Sequence, residues 1–165
     1  MTSTIESQLG AMPCVVGSFI HAEIGSIHCV NNEVVSRIDK GLCALIGLGR
    51  DDNAADADYI VRKLLNVRIF EGEDGKRWEK SLSDLSLELL CVSQFTLHAF
   101  CKGNKLDFHL SKGSTEASDF YRAFIDQLKA KYKPELVKDG LFGAYMQVAL
   151  ENDGPVTLFL DSRDR

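Results

Sequence analysis

Proline occurs only three times in 165 residues and no block of like charges appears, which excludes a disordered or low-complexity chain. Cysteine is sparse and badly spaced for bonding. Cys14, Cys29, Cys43, Cys91 and Cys101 are odd in number and contain no C-x-x-C pair, so neither a disulfide framework nor a thiolate zinc site is indicated. Buried thiols in a reducing compartment are the expectation. Long apolar runs are missing too: the longest, Gly41 to Gly49, is far below the ~20 residues of a membrane span. The opening residues lack the basic start and apolar segment of a signal peptide, so a cytoplasmic protein without a membrane partner is expected. Positive charge is in deficit, with 19 Lys+Arg against 24 Asp+Glu and a net charge of −5, which argues against a sequence-blind DNA coater. No DNA partner is therefore expected, although a local basic patch remains compatible with RNA.

The familiar motifs are lacking as well. There is no G-x-x-x-x-G-K-[ST], no strand-linked G-x-G-x-x-G and no H-E-x-x-H. His98 and His109 lie eleven residues apart without a Cys or carboxylate at ligand spacing, so neither metal nor cofactor is expected. Cys91 stands mid-strand beside Val92, the setting of a structural thiol rather than a nucleophile.

What is present is an ordinary globular composition, 45% hydrophobic and 26% charged. Residues 1–13 are polar and aperiodic and read as a flexible tail, leaving 14–165 as a single domain. Short strands follow from Cys14, with a hairpin turn at Asn31-Asn32, and the run Leu42 to Leu48 is apolar on both faces, as a central strand is. Asp51-Asp52-Asn53 caps a helix through about Asn66. Leu87 to Phe95 reads as a buried strand. A polar loop follows, and then a helix capped by Ser114 whose inner face is Ala117, Phe120, Tyr121, Phe124 and Leu128. Two final strands flank Asn152-Asp153-Gly154-Pro155. The fold class expected is α/β of the α+β type: a curved, mostly antiparallel sheet or open barrel with two main helices.

Two segments break this pattern. Ser93-Gln94-Phe95-Thr96 puts hydroxyls and an amide where a buried strand emerges into a loop. Such groups either satisfy a strand end or converge on a ligand. Asn152-Asp153-Gly154-Pro155-Val156-Thr157 is either a plain hairpin turn or a rigid element with a cis Gly-Pro bond, since a tertiary amide reduces the trans preference to roughly 0.5–1 kcal/mol. A cis Gly-Pro can turn its two carbonyls the same way, as acceptors for an ammonium group.

SQFTL at 93–97 together with NDGPVT at 152–157 closely resembles the D-aminoacyl-tRNA deacylases, also called D-tyrosyl-tRNA deacylases. DADYIVRKLLNVRIFEGEDGK at 56–76, KGNKLDFH at 102–109 and FGAYMQV at 142–148 support the resemblance, which covers about Asn31 to Ser162. It implies a homodimeric, cofactor-independent hydrolase of the ester joining a D-amino acid, and also glycine, to tRNA. Ser93, Gln94 and Thr96 would then be catalytic, with Phe95, Phe142 and Met146 binding substrate. Gly154 and Pro155 would form a cis element reaching into the partner subunit's pocket to exclude L side chains. Lys102, Lys105 and Lys112 would meet tRNA phosphates.

The resemblance leaves Thr96 with two roles. Direct attack needs a general base, and no His or acid is visibly paired with it; a substrate-assisted route uses the 2′-hydroxyl of the terminal ribose instead. The chain also departs from the family pattern. About a dozen residues precede the first strand, His21-Ala22 stands where Gln-Arg is common, and Leu106 replaces a common proline. Two alternatives follow: a related subtype with a trans Gly-Pro and relaxed chirality, and a non-catalytic module that binds tRNA or a synthetase.

Overall fold

Both faces of one central strand are buried, and the architecture follows from that. The structure is a computed structural model describing residues 16–22, 24–30 and 33–164, with side chains described from Glu33 onward. In chain order the strands are β1 (Val16–Ala22), β2 (Ile24–Val30), β3 (Glu33–Ile38), β4 (Gly41–Gly47), β5 (Glu88–Ser93), β6 (Phe100–Lys102), β7 (Lys105–Asp107), β8 (Val137–Asp139), β9 (Gln147–Glu151) and β10 (Thr157–Asp161). The helices are α1 (Ala54–Asn66), the single turn α2 (Leu82–Leu85) and α3 (Ser114–Lys131).

A five-stranded sheet runs β10-β1-β4-β5-β8, beside a three-stranded sheet β3-β2-β9 and the hairpin β6-β7. On one face of the larger sheet, Leu42, Ala44, Ile46 and Leu89 join Ile60 and Leu64 of α1 and Phe124 and Leu128 of α3 in the main core. On the other, Cys43, Leu90 and Val92 meet Ile38 of β3, with Met146, Val148 and Leu150 alongside. Helices, large sheet and small sheet therefore form three layers.

This corrects the expected curved, mostly antiparallel sheet or open barrel. The class remains α+β, but β4 pairs with β5, and β5 with β8, in parallel. The described residues close no barrel. The reason is the connections: α1 lies between β4 and β5, and α3 between β5 and β8, and a helical crossover returns the chain to its starting edge. Strands covered on both faces are apolar throughout, as the run at β4 is.

Local signals held where side chains satisfy backbone groups. Asn53 Oδ1 accepts from the Ala55 amide at 2.9 Å and Asp56 Oδ2 from the Asn53 amide at 3.1 Å, a reciprocal cap for α1. At α3 the cap differs from expectation: Gly113 occupies it without a side-chain bond, and Ser114 is the first helical residue. β2 and β3 pair antiparallel as a hairpin does, while its Asn31-Asn32 turn and the expected tail 1–13 lie outside the described residues. Cys43 and Cys91 are buried, but Cys101 is exposed on the β6-β7 hairpin. No helix among the described residues is long and apolar enough to cross a membrane.

Candidate active site

The parallel strands β4 and β5 end side by side, with Ile46 opposite Ser93. The carboxyl ends of parallel strands leave a crevice where polar groups converge. Beyond Ser93, the Gln94 amide donates to the Ile46 carbonyl at 2.8 Å, and Phe95–His98 then forms a single 3-10 turn. This pin converts a buried strand into an exposed loop within two residues.

A cavity of about 650 Å³ opens there, floored by Ile46, Leu48 and Val92. Ser93, Gln94 and Phe95 form one wall, the first turn of α3 (Gly113, Ser114 and Ala117) a second, and Phe142 through Met146 a third. The first turn of α3 gives its wall the positive end of the helix dipole. The loop before α3 is tied down: Ser111 Oγ donates to the Phe95 carbonyl at 3.0 Å, and the Lys112 amide to that of Leu48 at 2.9 Å. Phe95 and Phe108 meet at the rim, ring centroids 5.0 Å apart.

The expected site residues divide. Ser93, Gln94, Phe95, Phe142 and Met146 come together at this cavity. Thr96 is exposed and does not line it; the Gln94 side-chain amide donates to the Thr96 hydroxyl and holds it beside the wall. Lys112 borders the cavity, yet its ammonium donates to the Arg50 and Asp52 carbonyls at 3.1 and 3.2 Å and sits over the Phe120 ring. Lys102 and Lys105 stand on the β6-β7 hairpin. Lys102 Nζ lies 2.6 Å from Asp107, whose carboxylate also accepts from the His109 amide and meets its ring. Those donors hold the Asp107 carboxyl well below the usual carboxylate range, Lys102 contributing most. Cys91 is fully buried, and burial pushes its thiol up, away from reactivity.

Gly154 and Pro155 are elsewhere. They line a second cavity of about 610 Å³ with Trp78, Phe70 and Arg77, which shares no lining residue with the first. Their peptide bond is trans, correcting the expected cis element. The turn closes without it: Gly154 adopts φ +111°, and Asn152 Oδ1 accepts from the Val156 amide at 3.2 Å. An Asn side chain standing in for a backbone acceptor is an ordinary turn device.

A family model described as D-Tyr-tRNA(Tyr) deacylase matches residues 21–161. The chain belongs to the D-Tyr-tRNA(Tyr) deacylase family. Its relatives include D-aminoacyl-tRNA deacylase 1 of Bos taurus, 53% identical over 133 residues, which cover 81% of this chain and 64% of the relative. The Homo sapiens protein of that name is 52% identical over the same shares. The chain thus spans just under two thirds of those relatives' length. The Drosophila melanogaster D-aminoacyl-tRNA deacylase is 54% identical over 136 residues, covering 82% of this chain and 85% of that one. Among solved structures, one titled c-Myc DNA Unwinding Element Binding Protein superposes with a TM-score of 0.85 at 46% identity, covering 88% of this chain and 97% of that chain. Another, titled as a probable eukaryotic D-amino acid tRNA deacylase, shares the fold, with a TM-score of 0.74 at 20% identity over 89% of this chain and 99% of that one.

Within this family member, sequence reasoning missed Ser111, Ser114 and Tyr145 as cavity residues. Tyr145 lay inside the quoted FGAYMQV segment, and Ser114 was read only as a cap. Nothing in the sequence marked Ser111, whose role depends on a bridge to Gly49 across a fold contact.

Proposed function

We propose that this chain hydrolyses the ester of D-aminoacyl-tRNA, and of glycyl-tRNA, to free amino acid and tRNA. The observation that carries the reading is the cavity at the β4 and β5 strand ends, walled by Ser93, Gln94 and Phe95 in a chain of this family. About 650 Å³ is in the range of small-ligand sites, enough for an aminoacylated adenosine.

Thr96 acts as an orienting group. Gln94 donates to its oxygen, which occupies a lone pair and leaves the Thr96 proton free to donate. An amide is no base, so nothing in this pair activates a nucleophile. Water instead adds to the ester carbon, assisted by the neighbouring 2′-hydroxyl of the terminal ribose; the ester C–O bond then breaks and the departing 3′-oxygen takes a proton. The first amides of the Phe95–His98 turn lack helical acceptors and supply donors to the developing oxyanion. An aminoacyl ester is already activated, so positioning suffices without a metal.

The chain acts as a homodimer. Gly154 and Pro155 lie away from the chain's own cavity, so only a second copy can bring them to one. Lys105, with Lys102, meets phosphates of the tRNA end in the cytoplasm. The trans Gly154–Pro155 bond favours a second reading, the subtype with relaxed chirality, whereas the SQFTL segment at 93–97 that carries the resemblance favours the strict one.

Incubation of the protein with D-, L- and glycyl-tRNA, with chelator and without added cofactor, tests this. The D- and glycyl-esters are expected to disappear while the L-ester persists. Loss of the L-ester at a similar rate selects the relaxed subtype. Tight tRNA binding with every ester intact would falsify the hydrolase and leave a binding module.

A further inference from the structure

We infer that His98 is a positioning residue for this site: its ring, set against the glycines that end β4, fixes the turn that carries Phe95 and Thr96. The inference rests on the deacylase reading for its kinetic arm only. Phe95 is 60% exposed, yet His98, three residues on in the same turn, is 5% exposed. The ring lies so close over β4 that a Cβ at Gly47 would stand 3.2 Å from its Cδ2 and 3.3 Å from its Nε2. A Cβ at Gly49 would stand 3.2 Å from Cε1. These are tight spacings, so the two glycines are what admit an imidazole here.

The ring thus packs directly against the Gly47 backbone. One end of the turn is pinned by the Gln94 amide bonded to Ile46 and the other by the His98 ring packed on Gly47, adjacent residues of one strand. Phe95 and Thr96 stand between the pins, so their placement is inherited from β4.

The charged groups facing the ring are Asp52 from the loop before α1, Asp161 of β10 and Arg163 beyond it. The two aspartates favour the imidazolium and Arg163 opposes it, but desolvation outweighs them and holds His98 below the usual histidine value. Nε2 is buried without a hydrogen-bond partner among the described residues. A neutral ring fits this seat, and protonation under mildly acidic conditions places a cation in it and loosens the turn.

The test compares the full chain with His98→Gln and His98→Ala. In amide-resolved NMR titration, the Phe95 and Thr96 signals are expected to move with the His98 ring below pH ~6.5, and to lose that movement in His98→Gln. In deacylation assays on D-aminoacyl-tRNA, His98→Ala is expected to lower kcat about ten- to a hundredfold, the scale of a misplaced catalytic geometry, with little change in KM. His98→Gln is expected to rescue part of that loss and to remove the acid limb due to His98. Amides at Phe95 and Thr96 that ignore the titration of His98, or an unaltered acid limb in His98→Gln, overturn the inference. If the wild-type chain hydrolyses no ester, the deacylase reading fails while the NMR comparison still decides the role of His98. Should His98→Ala not fold, the glutamine variant carries both measurements.

Discussion

The two polar segments that stand out in the sequence are built on opposite principles. Ser93–Thr96 leaves a strand whose Leu89, Leu90 and Cys91 are fully buried, and its first bond beyond the strand returns to Ile46 in the neighbouring strand. Asn152–Thr157 joins β9 and β10, each at the edge of its sheet, and Asp153, Gly154 and Pro155 are exposed. The first segment takes its geometry from the core. The second takes it from its own backbone and one Asn152 side chain. A platform of the first kind suits groups that must be held rigidly, while an exposed turn of the second kind is free to meet another molecule.

The sharpest break between the regions should come from the platform. Leu89→Ala removes a fully buried side chain from β5, the strand that carries the segment, and is expected to cost about 2–5 kcal/mol in denaturant unfolding. A loss under about 1 kcal/mol would mean that the core does not brace this segment. Gly154→Ala should be milder and act differently. Its φ of +111° disfavours any L side chain, and a Cβ there would stand 2.9 Å from Val156 Cγ2. A strain cost of about 1–3 kcal/mol is expected, together with altered D/L selection in paired deacylation assays. Unchanged selection would detach the turn from substrate choice.

Thr96→Ala is expected to slow single-turnover deacylation about three- to twelvefold, the loss of one orienting hydrogen bond of about 0.5–1.5 kcal/mol. A thousandfold loss, or a trapped acyl-Thr96, would establish covalent catalysis. The smallest effect concerns Asp107, whose folded carboxyl is depressed by Lys102 and His109. The sign follows: its contribution is complete above the unfolded value near 4 and fades as pH falls through the lower folded value. Hydrogen-exchange protection in the β6-β7 hairpin, taken relative to the unstructured rate at each pH, is expected to hold down to about pH 4 and to fall below it; in Asp107→Asn it should be low throughout. Equal protection in both proteins would show that this exposed cluster holds nothing.

Legibility in the sequence tracked the range of the interaction. The Asn53 cap, the both-faces-apolar run at β4 and the inner face of α3 depend on neighbours within one or two turns or on one strand's own pattern, and each was readable. The hairpin β6-β7 and strand β8 were not, because three residues carry too little periodicity to register. Gln94 and Phe95, which line the cavity, were legible as candidates because they follow directly on a buried strand. Ser111 was not, since its bond to the Phe95 carbonyl joins residues that only the fold brings together.

By itself, the sequence determined the family through its quoted motifs, and the burial of β4 and β5 with the polar interruption at the strand end, because periodicity records which residues avoid water. Tertiary structure alone decided that β4, β5 and β8 run parallel, that Gly154–Pro155 closes its turn in trans, and that His98 is buried against two glycines. Those outcomes depend on how crossovers return, on which acceptor a turn amide finds, and on which surfaces meet. They are set by packing between segments up to some fifty residues apart, as for Gly47 and His98, where no local pattern can encode the partner.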